Sequence, residues 1–305
     1  MVAKVFIDGE VGTTGLQIAQ RLRPRDDMAL ISLPEAQRKD LNARLDALSQ
    51  ADVAILCLPD AAAKEIVAAV EGHDVRLIDA STAHRVNPDW DYGFAELRSE
   101  QRTAIQQSAR VSNPGCYSSA AIALLSPLTQ VGVLAADAPI SINAVSGYSG
   151  GGKALIQEFE EGPLDGHFAY ATAQAHKHLP EIMHYGGLTK PPVFMPAVGP
   201  FAHGMLVQIP LPFLDASATA DIQAALAAHY ASQQFVRVVD HDAYGPRIDP
   251  RILNGSNVME LSVKSADDGS RCVLYALLDN LGKGASGAAV QNLNLMLGFD
   301  ETLGL

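Results

Sequence analysis

A glycine-rich turn near the start of the chain constrains the fold more than any other feature of the sequence. It holds three glycines at intervals of three residues, Gly9, Gly12 and Gly15. An apolar run, residues 2–7, precedes the turn. After it, apolar residues recur at helical spacing, at Leu16, Ile18, Ala19 and Leu22. Strand, glycine turn and helix in this order predict the first unit of a dinucleotide-binding sheet.

Two roles are compatible with these glycines. In the first, they let the backbone approach a pyrophosphate closely, while the first helical turn and the hydroxyls of Thr13 and Thr14 donate hydrogen bonds to it. In the second, they only permit tight packing of the helix against the strand. The order of the elements favours the first role.

Short apolar runs and helical segments alternate through the first third of the chain. Strands are predicted at residues 29–33, 53–58 and 76–79, and a helix is predicted at residues 61–72, ended by Gly72. This alternation predicts an α/β Rossmann domain with a doubly wound, mostly parallel sheet.

Beyond residue 116 the pattern becomes that of an α+β domain. Strand-like segments dominate, at residues 139–145, 194–198, 205–211, 235–239, 258–263 and 272–278. One helix is predicted from about Ser217 to Tyr230 and another at residues 287–297. Because so few helices separate the strands, the sheet is expected to be mixed or antiparallel.

Length, charge and cysteine usage narrow the class of protein. The 305 residues suit two domains, and the formal net charge of −12 argues against non-specific binding to nucleic acid or an anionic membrane. The cysteines, Cys57, Cys116 and Cys272, are too scattered for a disulfide framework and none has a C-x-x-C partner. Because no signal-peptide or membrane-spanning pattern is found, we expect a cytoplasmic protein.

The residues after the second predicted strand bear on cofactor choice. They include Ser32, Arg38 and Lys39. An NAD site usually presents an acidic residue here, whereas cations bind a ribose 2′-phosphate, so the two cations favour NADP. The alternative is an ordinary solvated pair that begins the next helix.

Cys116 follows a Pro-Gly turn and precedes an apolar, helix-like segment. The turn predicts that this cysteine lies near a helix N-terminus. There the helix dipole and N–H groups lower the pKa of a thiol and can hold an oxyanion, as a nucleophile requires. The alternative is a small buried hydrophobe, which is the interpretation for Cys57 and Cys272 inside their apolar runs.

His176 and His178 alternate in the segment QAHKHLPEI, and a helix is predicted just after Pro180. A thiol enzyme needs a proton carrier whose pKa lies near neutrality, and histidine supplies it. One alternative is a metal site, but His-x-His lacks an evident third ligand, so no metal is predicted. The other alternative is a pair of histidines without chemistry.

Two further glycine-bearing loops follow predicted strands. The first carries four candidate ligand-binding residues, Ser146, Ser149, Gly150 and Lys153, which suit a phosphate or carboxylate. Its spacing is not that of a P-loop, so ATP binding is unsupported, and a hinge or subunit-contact loop is the alternative. The second carries three candidate cofactor contacts, Asn280, Gly282 and Lys283, and opens the final helix.

Five motifs occur in consistent order over residues 9–294. They are GEVGTTGLQI, SNPGCY, SGYSGGGK, HKHLPEI and DNLGKGASGAAVQNLN. Together they resemble the N-acetyl-γ-glutamyl-phosphate reductase family, and most of all its shorter form. The resemblance covers almost the whole chain and depends chiefly on SNPGCY and HKHLPEI, because the glycine motif alone is not specific.

The resemblance implies an NADP-binding Rossmann domain of residues 1–115 plus 283–305 and a catalytic and oligomerisation domain of residues 116–282. It implies NADPH-dependent reduction of N-acetyl-L-glutamyl 5-phosphate to the 5-semialdehyde with release of phosphate, in arginine biosynthesis. By motif position, Cys116 corresponds to the nucleophile, which forms a thioester. His176 corresponds to the acid/base, with His178 as the alternative and otherwise a substrate contact.

Further expectations follow from the same resemblance. Where the longer form reads like DLSADFR, this chain reads DASTAHR, so Ser81 and Arg85 keep their places while the role of His84 is open. Ser81 is assigned to the cofactor and Arg251 to the substrate, and a homodimer or homotetramer is expected. Rival functions are the same chemistry on aspartyl phosphate or N-acetyl-aminoadipyl phosphate, and an NADP-binding regulatory protein without catalysis.

Overall fold

The computed structural model describes residues 2–212 and 218–305, which form two compact units. Unit 1 holds the described residues up to Ala95, together with Ser99–Gly115 and Ala285–Leu305. Unit 2 holds Glu96–Arg98 and the described residues of Cys116–Gly284. The division expected from the motifs places Glu96–Arg98 and residues 283–284 in the Rossmann domain. In the structure they belong to unit 2. The assignment of one function to each unit stays a prediction.

Unit 1 is built on six parallel strands in the order β2-β1-β3-β4-β6-β5. The strands are β1 (Ala3–Asp8), β2 (Met28–Ile31), β3 (Val53–Leu56), β4 (Arg76–Asp79), β5 (Asp91–Tyr92) and β6 (Arg110–Ser112). The helices are α1 (Thr13–Leu22), α2 (Leu41–Gln50), α3 (Asp60–Ala69), α4 (Gln101–Gln107) and α9 (Gly287–Leu297).

Helices cover both faces of this sheet. Val5 and Ile7 of β1 belong to a buried apolar cluster with residues of α1 and α9, whereas Phe6 belongs to a second cluster with residues of α2 and α3. Successive strand residues therefore pack on opposite faces, as a doubly wound α/β sheet requires. The predicted fold class of the first domain is confirmed.

Unit 2 is built on seven strands in the order β11-β12-β13-β10-β7-β9-β8. The strands are β7 (Ser141–Gly147), β8 (Phe168–Ala169), β9 (Val193–Gly199), β10 (Met205–Leu211), β11 (Val236–Val238), β12 (Met259–Ser265) and β13 (Cys272–Leu278). The helices are α5 (Cys116–Gln130), α6 (Gly152–Glu160), α7 (Leu179–Gly186) and α8 (Ala218–Tyr230). The β11–β12 and β7–β9 pairs are parallel and the other pairs antiparallel, so the predicted mixed sheet is confirmed.

Helix α5 is the central helix of unit 2. All its residues from Tyr117 to Leu128 are buried, and it packs against α7, α8, β10 and β13. A helix that is apolar on all sides is expected only where neighbours surround it. Because α5 begins at Cys116, this buried helix gives the cysteine a fixed position.

The ends of the elements differ from the predicted ones where the local signal is weak. Helix α3 ends at Ala69 rather than at Gly72. Gly72 lies beyond the helix and has a φ of +83°. Strands β5 and β6 and helix α4 were not predicted, because such short elements carry too little periodicity. The predicted helix start at Ser217 lies outside the described residues. Within the described ranges, no helix has the length and apolarity needed to span a membrane.

Candidate active site

The glycine turn of unit 1 brings backbone atoms closer together than side chains would permit. Gly9 has a φ of +88°, and a Cβ at this position would overlap the carbonyl oxygen of Cys57. A Cβ on Gly15 would overlap the carbonyl oxygen of Gly9. The glycines therefore have a direct packing role between strand and helix.

The N-terminus of α1 also has the properties of an anion site. Gly12 is its N-cap, and no described side chain caps it. Thr13 and Thr14 are the first two residues of the helix, and both are partly exposed. Uncapped N–H groups at the positive end of a helix dipole bind phosphate groups. The turn therefore fits a dinucleotide as well as tight packing.

The three residues selected after β2, Ser32, Arg38 and Lys39, are all exposed. Nε of Arg38 donates to the backbone carbonyl five residues earlier at 3.3 Å, so the side chain folds back toward the strand end. The Ser32 hydroxyl donates to Oε2 of Glu10 at 3.3 Å, and Glu10 also pairs with Arg23 at 2.7 Å. Sequence reasoning missed Glu10, which stands inside the glycine motif. The ion pair with Arg23 offsets the negative charge that Glu10 brings to the glycine turn.

A buried polar network follows β4 in unit 1. Asp79 is fully buried and accepts hydrogen bonds from the backbone N–H of Ser81 at 2.9 Å and from its hydroxyl at 2.7 Å. Nδ1 of His84 lies 2.6 Å from Oδ2 of Asp79, and the ring stacks on Trp90 with centroids 4.3 Å apart. His84, whose role was open, therefore anchors this loop. Arg85 is buried and donates to backbone carbonyls.

Cys116 is the first residue of α5 and is partly exposed, as expected for a reactive thiol at a helix N-terminus. The other two cysteines differ. Burial raises the pKa of the Cys57 thiol to about 12, with smaller contributions from the carboxylates of Asp79 and Asp8. Burial also raises the pKa of Cys272, which lies in β13. Both of these thiols stay protonated at neutral pH.

Tyr117, the residue after Cys116, connects α5 with both candidate histidines. Its ring centroid lies 6.0 Å from that of His176 and 6.0 Å from that of His178. Its hydroxyl donates to the carbonyl of Ala197 at 2.9 Å. The structure therefore brings the start of α5 and the H-x-H segment together in unit 2. Sequence reasoning did not select Tyr117, although it ends the SNPGCY motif.

A hydrogen bond joins the two histidines. The backbone N–H of His178 donates to Nδ1 of His176 at 3.1 Å. This Nδ1 therefore carries no proton, and neutral His176 has its proton on Nε2. Nε2 lies 3.2 Å from the hydroxyl oxygen of Tyr170, which accepts the hydrogen bond. His178 is 5% exposed and is the N-cap residue of α7.

Two further features hold the loop that carries these histidines. Ala171 and Gln174 have φ values of +52° and +56°, a conformation that costs about 1–3 kcal/mol for a residue with a side chain. The Gln174 amide accepts from the N–H of Phe194 and donates to its carbonyl, both at 2.9 Å. The loop is thereby fastened to β9 immediately before His176.

Tyr170 and Tyr117 are protonated at neutral pH. Burial raises the pKa of Tyr170 to about 12, and the neighbouring Cys116 contributes in the same direction. Burial raises the pKa of Tyr117 further, with the Tyr170 hydroxyl and Cys116 as additional causes. The two hydroxyls therefore act here as hydrogen-bonding groups and not as bases. Tyr170 was not selected from the sequence, because it lies six positions before His176 and belongs to no recognisable motif.

The end of β7 and the loop after it begin with buried residues and continue with exposed ones. Ser146 and Ser149 are buried, and the Ser149 hydroxyl donates to the carbonyl of Ala202. Gly150 and Lys153 are exposed. Of the four residues selected here, the two serines therefore secure the loop, while Gly150 and Lys153 face solvent.

The three residues selected from the last loop, Asn280, Gly282 and Lys283, take protein partners within unit 2. The Asn280 amide donates to Ser149 at 3.0 Å and accepts from the N–H of Gly204 at 2.9 Å. A Cβ on Gly282 would overlap the carbonyl oxygen of Ser256. Nζ of Lys283 lies 2.9 and 2.8 Å from the two carboxylate oxygens of Glu96. Contact of these residues with a cofactor stays a prediction.

Arg251 is exposed and forms a bidentate ion pair with Asp249, with a shortest distance of 2.7 Å. Its charge is therefore offset locally, and its contact with substrate stays a prediction. Among residues 2–212 and 218–305, no group of three or more His, Cys, Asp or Glu side chains is arranged to hold a metal ion.

Two family models match the chain, one in each half. Residues 25–105 match the model described as "Semialdehyde dehydrogenase, NAD binding domain". Residues 116–280 match "Semialdehyde dehydrogenase, dimerisation domain".

Curated relatives match the chain over nearly its full length. Proteins named N-acetyl-gamma-glutamyl-phosphate reductase from Brucella ovis and from Brucella abortus strain S19 are each 52% identical to it over 310 residues. These alignments cover 98% of this chain and 100% of each relative.

Solved structures share the fold at low sequence identity. Aspartate semialdehyde dehydrogenase II from Vibrio cholerae has a TM-score of 0.73 at 16% identity, covering 97% of this chain and 98% of its own. The enzyme from Candida albicans, solved with NADP, has a TM-score of 0.65 at 15% identity, covering 97% of this chain and 99% of its own.

Proposed function

Since the chain belongs to the N-acetyl-gamma-glutamyl-phosphate reductase family of semialdehyde dehydrogenases, we propose that it reduces N-acetyl-L-glutamyl 5-phosphate to N-acetyl-L-glutamate 5-semialdehyde with NADPH and releases phosphate. This reaction belongs to arginine biosynthesis. The observation that carries the proposal is Cys116 as the first residue of α5, next to Tyr117, whose ring contacts His176 and His178. A partly exposed thiol at a helix N-terminus near two imidazoles supports covalent catalysis on an acyl group.

Unit 1 carries the residues proposed to hold the cofactor. The backbone N–H groups of Thr13 and Thr14 would bind its pyrophosphate, supported by the close backbone approach at Gly9 and the uncapped start of α1. Arg38 and Lys39, both exposed after β2, would bind the 2′-phosphate of NADP. When bound, NADPH supplies the hydride that reduces the acyl group.

Acyl transfer to Cys116 is the first half of the proposed reaction. The Cys116 thiol gives its proton to a histidine, and the sulfur attacks the carbonyl carbon of the acyl phosphate. The carbon–sulfur bond forms first and leaves a negative charge on the carbonyl oxygen. The carbon–oxygen bond to phosphate then breaks, and the histidine returns the proton to the departing phosphate. N–H groups at the start of α5 are suited to hold the oxyanion that forms on the carbonyl oxygen.

Release of the aldehyde is the second half. Reduction of the thioester by hydride gives the alkoxide form of a thiohemiacetal on Cys116, whose carbon–sulfur bond then breaks to yield the aldehyde and a thiolate. One proton, delivered through a histidine, restores the thiol for the next cycle. The overall reaction therefore takes up one hydride and one proton per acyl phosphate.

We propose His178 as the histidine that accepts the Cys116 proton, in place of His176. The only lone pair of neutral His176 lies on Nδ1, which already accepts a hydrogen bond from the backbone of His178. Its Nε2–H is engaged by Tyr170. The proposed role of His176 is accordingly to hold the loop and the neighbouring ring.

The reaction is best tested in its reverse direction. Reduction of NADP by N-acetylglutamate semialdehyde, followed by absorbance, is expected to require phosphate and to be lost after alkylation of the thiol. Aspartate semialdehyde and N-acetyl-aminoadipate semialdehyde are expected to give kcat/KM values lower by about tenfold or more. A higher kcat/KM with either rival would reassign the substrate. NADPH binding without turnover of any of the three would favour the regulatory alternative.

We further propose that the chain forms a homodimer or homotetramer. The match of residues 116–280 to a dimerisation domain supports self-association. Sedimentation equilibrium is expected to give a mass of two or four chains of 32.3 kDa, and a concentration-independent monomer would contradict the proposal.

A further inference from the structure

Residues 279–284, here called the 279–284 turn, follow strand β13 and end against Cys116. We propose that this turn positions the Cys116 side chain for acyl transfer and that Gly284 is the residue through which it acts. The inference deepens the proposed function and rests on it in one respect, since it takes Cys116 to be the nucleophile.

Gly284 leaves no room for a side chain beside the cysteine. A Cβ built on Gly284 would lie 2.8 Å from Cβ of Cys116 and 3.4 Å from its Cα, and carbon atoms pack without strain only at about 3.5–4.0 Å. These atoms lie at or next to the backbone of Cys116, so a flexible side chain cannot simply turn away. A larger residue at position 284 must therefore displace either the first residue of α5 or the turn.

The turn itself is held by hydrogen bonds of Asp279. Its carboxylate accepts from the backbone N–H of Gly255 at 2.7 Å and from that of Leu281 at 2.8 Å. Its carbonyl accepts from the N–H of Gly284 at 3.0 Å, within a stretch of π-helix from Gly282 to Ser286. A π-helical turn is rare and is often found at functional sites.

Two other residues tie the turn to separate parts of unit 2. The Asn280 amide bridges Ser149 and the backbone of Gly204. Lys283 and Glu96 form an ion pair in which the side chains are only 2% and 0% exposed. Separating such a pair would leave unpaired charge in the interior, so it holds Lys283 firmly.

A fixed support matters for a nucleophile because Sγ is bonded to the same Cβ that Gly284 touches. A displacement of Cβ turns Sγ away from the carbonyl carbon, and an error of about 1 Å in the position of a reacting atom can lower a rate by about a hundredfold. The polar residues of the turn hold Gly284, and Gly284 in turn limits where Cys116 can lie. The turn thus acts as a positioning element and does not itself react.

The test compares Gly284→Ala with the wild type and with Gly186→Ala. A Cβ on Gly186, the last residue of α7, would lie 3.5 Å from Leu125, which is an ordinary contact. The rate of Cys116 alkylation by iodoacetamide is measured by mass spectrometry from about pH 6 to about pH 9, because the thiolate is the form that reacts. Dissociation constants for NADPH, kcat and KM are measured on the same samples.

We expect Gly284→Ala to lower the alkylation rate and kcat by about tenfold or more, with the NADPH dissociation constant changed by less than about threefold. Gly186→Ala is expected to leave all of these values unchanged. Wild-type alkylation and kcat in Gly284→Ala would overturn the proposal. So would weaker NADPH binding with normal alkylation, because the turn would then be a cofactor contact.

If Gly284→Ala does not fold, the double variant Glu96→Leu with Lys283→Met carries the test. It removes both charges of the buried pair together, a change that proteins often tolerate. Slower alkylation with unchanged NADPH affinity would support the positioning role, and unchanged alkylation would overturn it. Because alkylation needs no acyl phosphate, it reports on Cys116 even if the proposed reaction proves to be a different one.

Discussion

The backbone N–H of His178 donates to Nδ1 of His176 at 3.1 Å, and this bond separates the roles of the two histidines. It occupies the lone pair with which neutral His176 would accept a proton. The bond uses the backbone of His178 and none of its ring atoms. The histidine that comes first in the motif therefore supports the loop, and the second is the better candidate to accept a proton from Cys116.

Replacing the two histidines is expected to give unequal losses. His178→Asn is expected to lower kcat by about 10²–10⁴, the usual contribution of a general acid/base. His176→Asn is expected to lose only about tenfold, because the asparagine Oδ1 can still accept the backbone N–H. Steady-state kinetics and the pH dependence of Cys116 alkylation measure both effects. A larger loss with His176→Asn would return the proton-transfer role to His176.

Tyr170→Phe tests the other side of His176. The variant removes the hydroxyl that accepts from Nε2, and one hydrogen bond of about 0.5–1.5 kcal/mol corresponds to a loss of about 2- to 12-fold in kcat. Because the pKa of Tyr170 is about 12, its ionisation is not expected in the wild-type rate profile below about pH 11.

The matched control for Tyr170→Phe is Tyr244→Phe. The Tyr244 hydroxyl donates to Glu260, at 2.7 Å, and makes none of the contacts described for the candidate site. Its removal is expected to leave kcat unchanged. Equal kinetic losses in the two variants would mean that a general effect on the fold, and not the bond to His176, lowers the rate.

Cys116→Ser is expected to reduce turnover to background while NADPH affinity stays within about twofold of the wild type. Serine keeps the approximate size of the side chain but replaces the thiol by a hydroxyl, which is a far weaker acid and nucleophile. Cys272→Ala, at a cysteine buried in β13, serves as the control and is expected to retain kcat. Substantial turnover in Cys116→Ser would rule out the thioester mechanism.

The sequence predicted those parts of the molecule that depend on local patterns. Strands β10 and β13 and helix α9 have the predicted ends, because each is a long apolar segment bounded by turn residues. The glycine turn and the Pro-Gly turn before Cys116 were also recognisable, since each requires particular residues at fixed spacing.

Partner choice over long sequence separations could not be predicted in the same way. The sequence predicts a cofactor contact for Lys283, which stays a prediction, but it does not indicate the pairing of Lys283 with Glu96, 187 residues away in the chain. Asn280 likewise bridges Ser149 and Gly204. No local pattern indicates such pairings, because they depend on how strands and loops come together within unit 2.

Stability is expected to fall at alkaline pH because burial raises the pKa of several acidic groups, among them the partly buried Cys57 and Tyr170. The pKa values of Cys57 and Tyr170 are raised to about 12, from 9.0 and 10.0. The unfolded chain therefore releases these protons first, so the stability linked to them is complete below about pH 9 and is lost as the pH rises toward 12.

Each group is expected to lower the free energy of unfolding by about 1.4 kcal/mol per pH unit between its two pKa values, 9.0 to about 12 for Cys57 and 10.0 to about 12 for Tyr170. Urea unfolding of the wild type and of Cys57→Ala, at about pH 8 and about pH 10, measures the loss. Cys57→Ala is expected to show the smaller decrease, since one of the two groups is gone. An identical decrease in both proteins would exclude a linked role for Cys57.

The preference for NADP is expected to depend on Arg38 and Lys39. Both are exposed after β2, and charge-assisted bonds to a phosphate of about 1.5–3 kcal/mol correspond to a loss of about 10- to 150-fold. Arg38→Ala with Lys39→Ala should therefore raise KM for NADPH by about this factor and leave KM for NADH nearly unchanged. Arg237→Ala, at an exposed arginine of β11 in unit 2, is the control and shows the effect of losing one positive charge away from the proposed cofactor residues. An unchanged ratio of the two KM values would mean that other residues bind the 2′-phosphate. Glu10→Gln would then separate the contribution of the Glu10–Ser32 contact, because it removes a negative charge and keeps a hydrogen-bond acceptor.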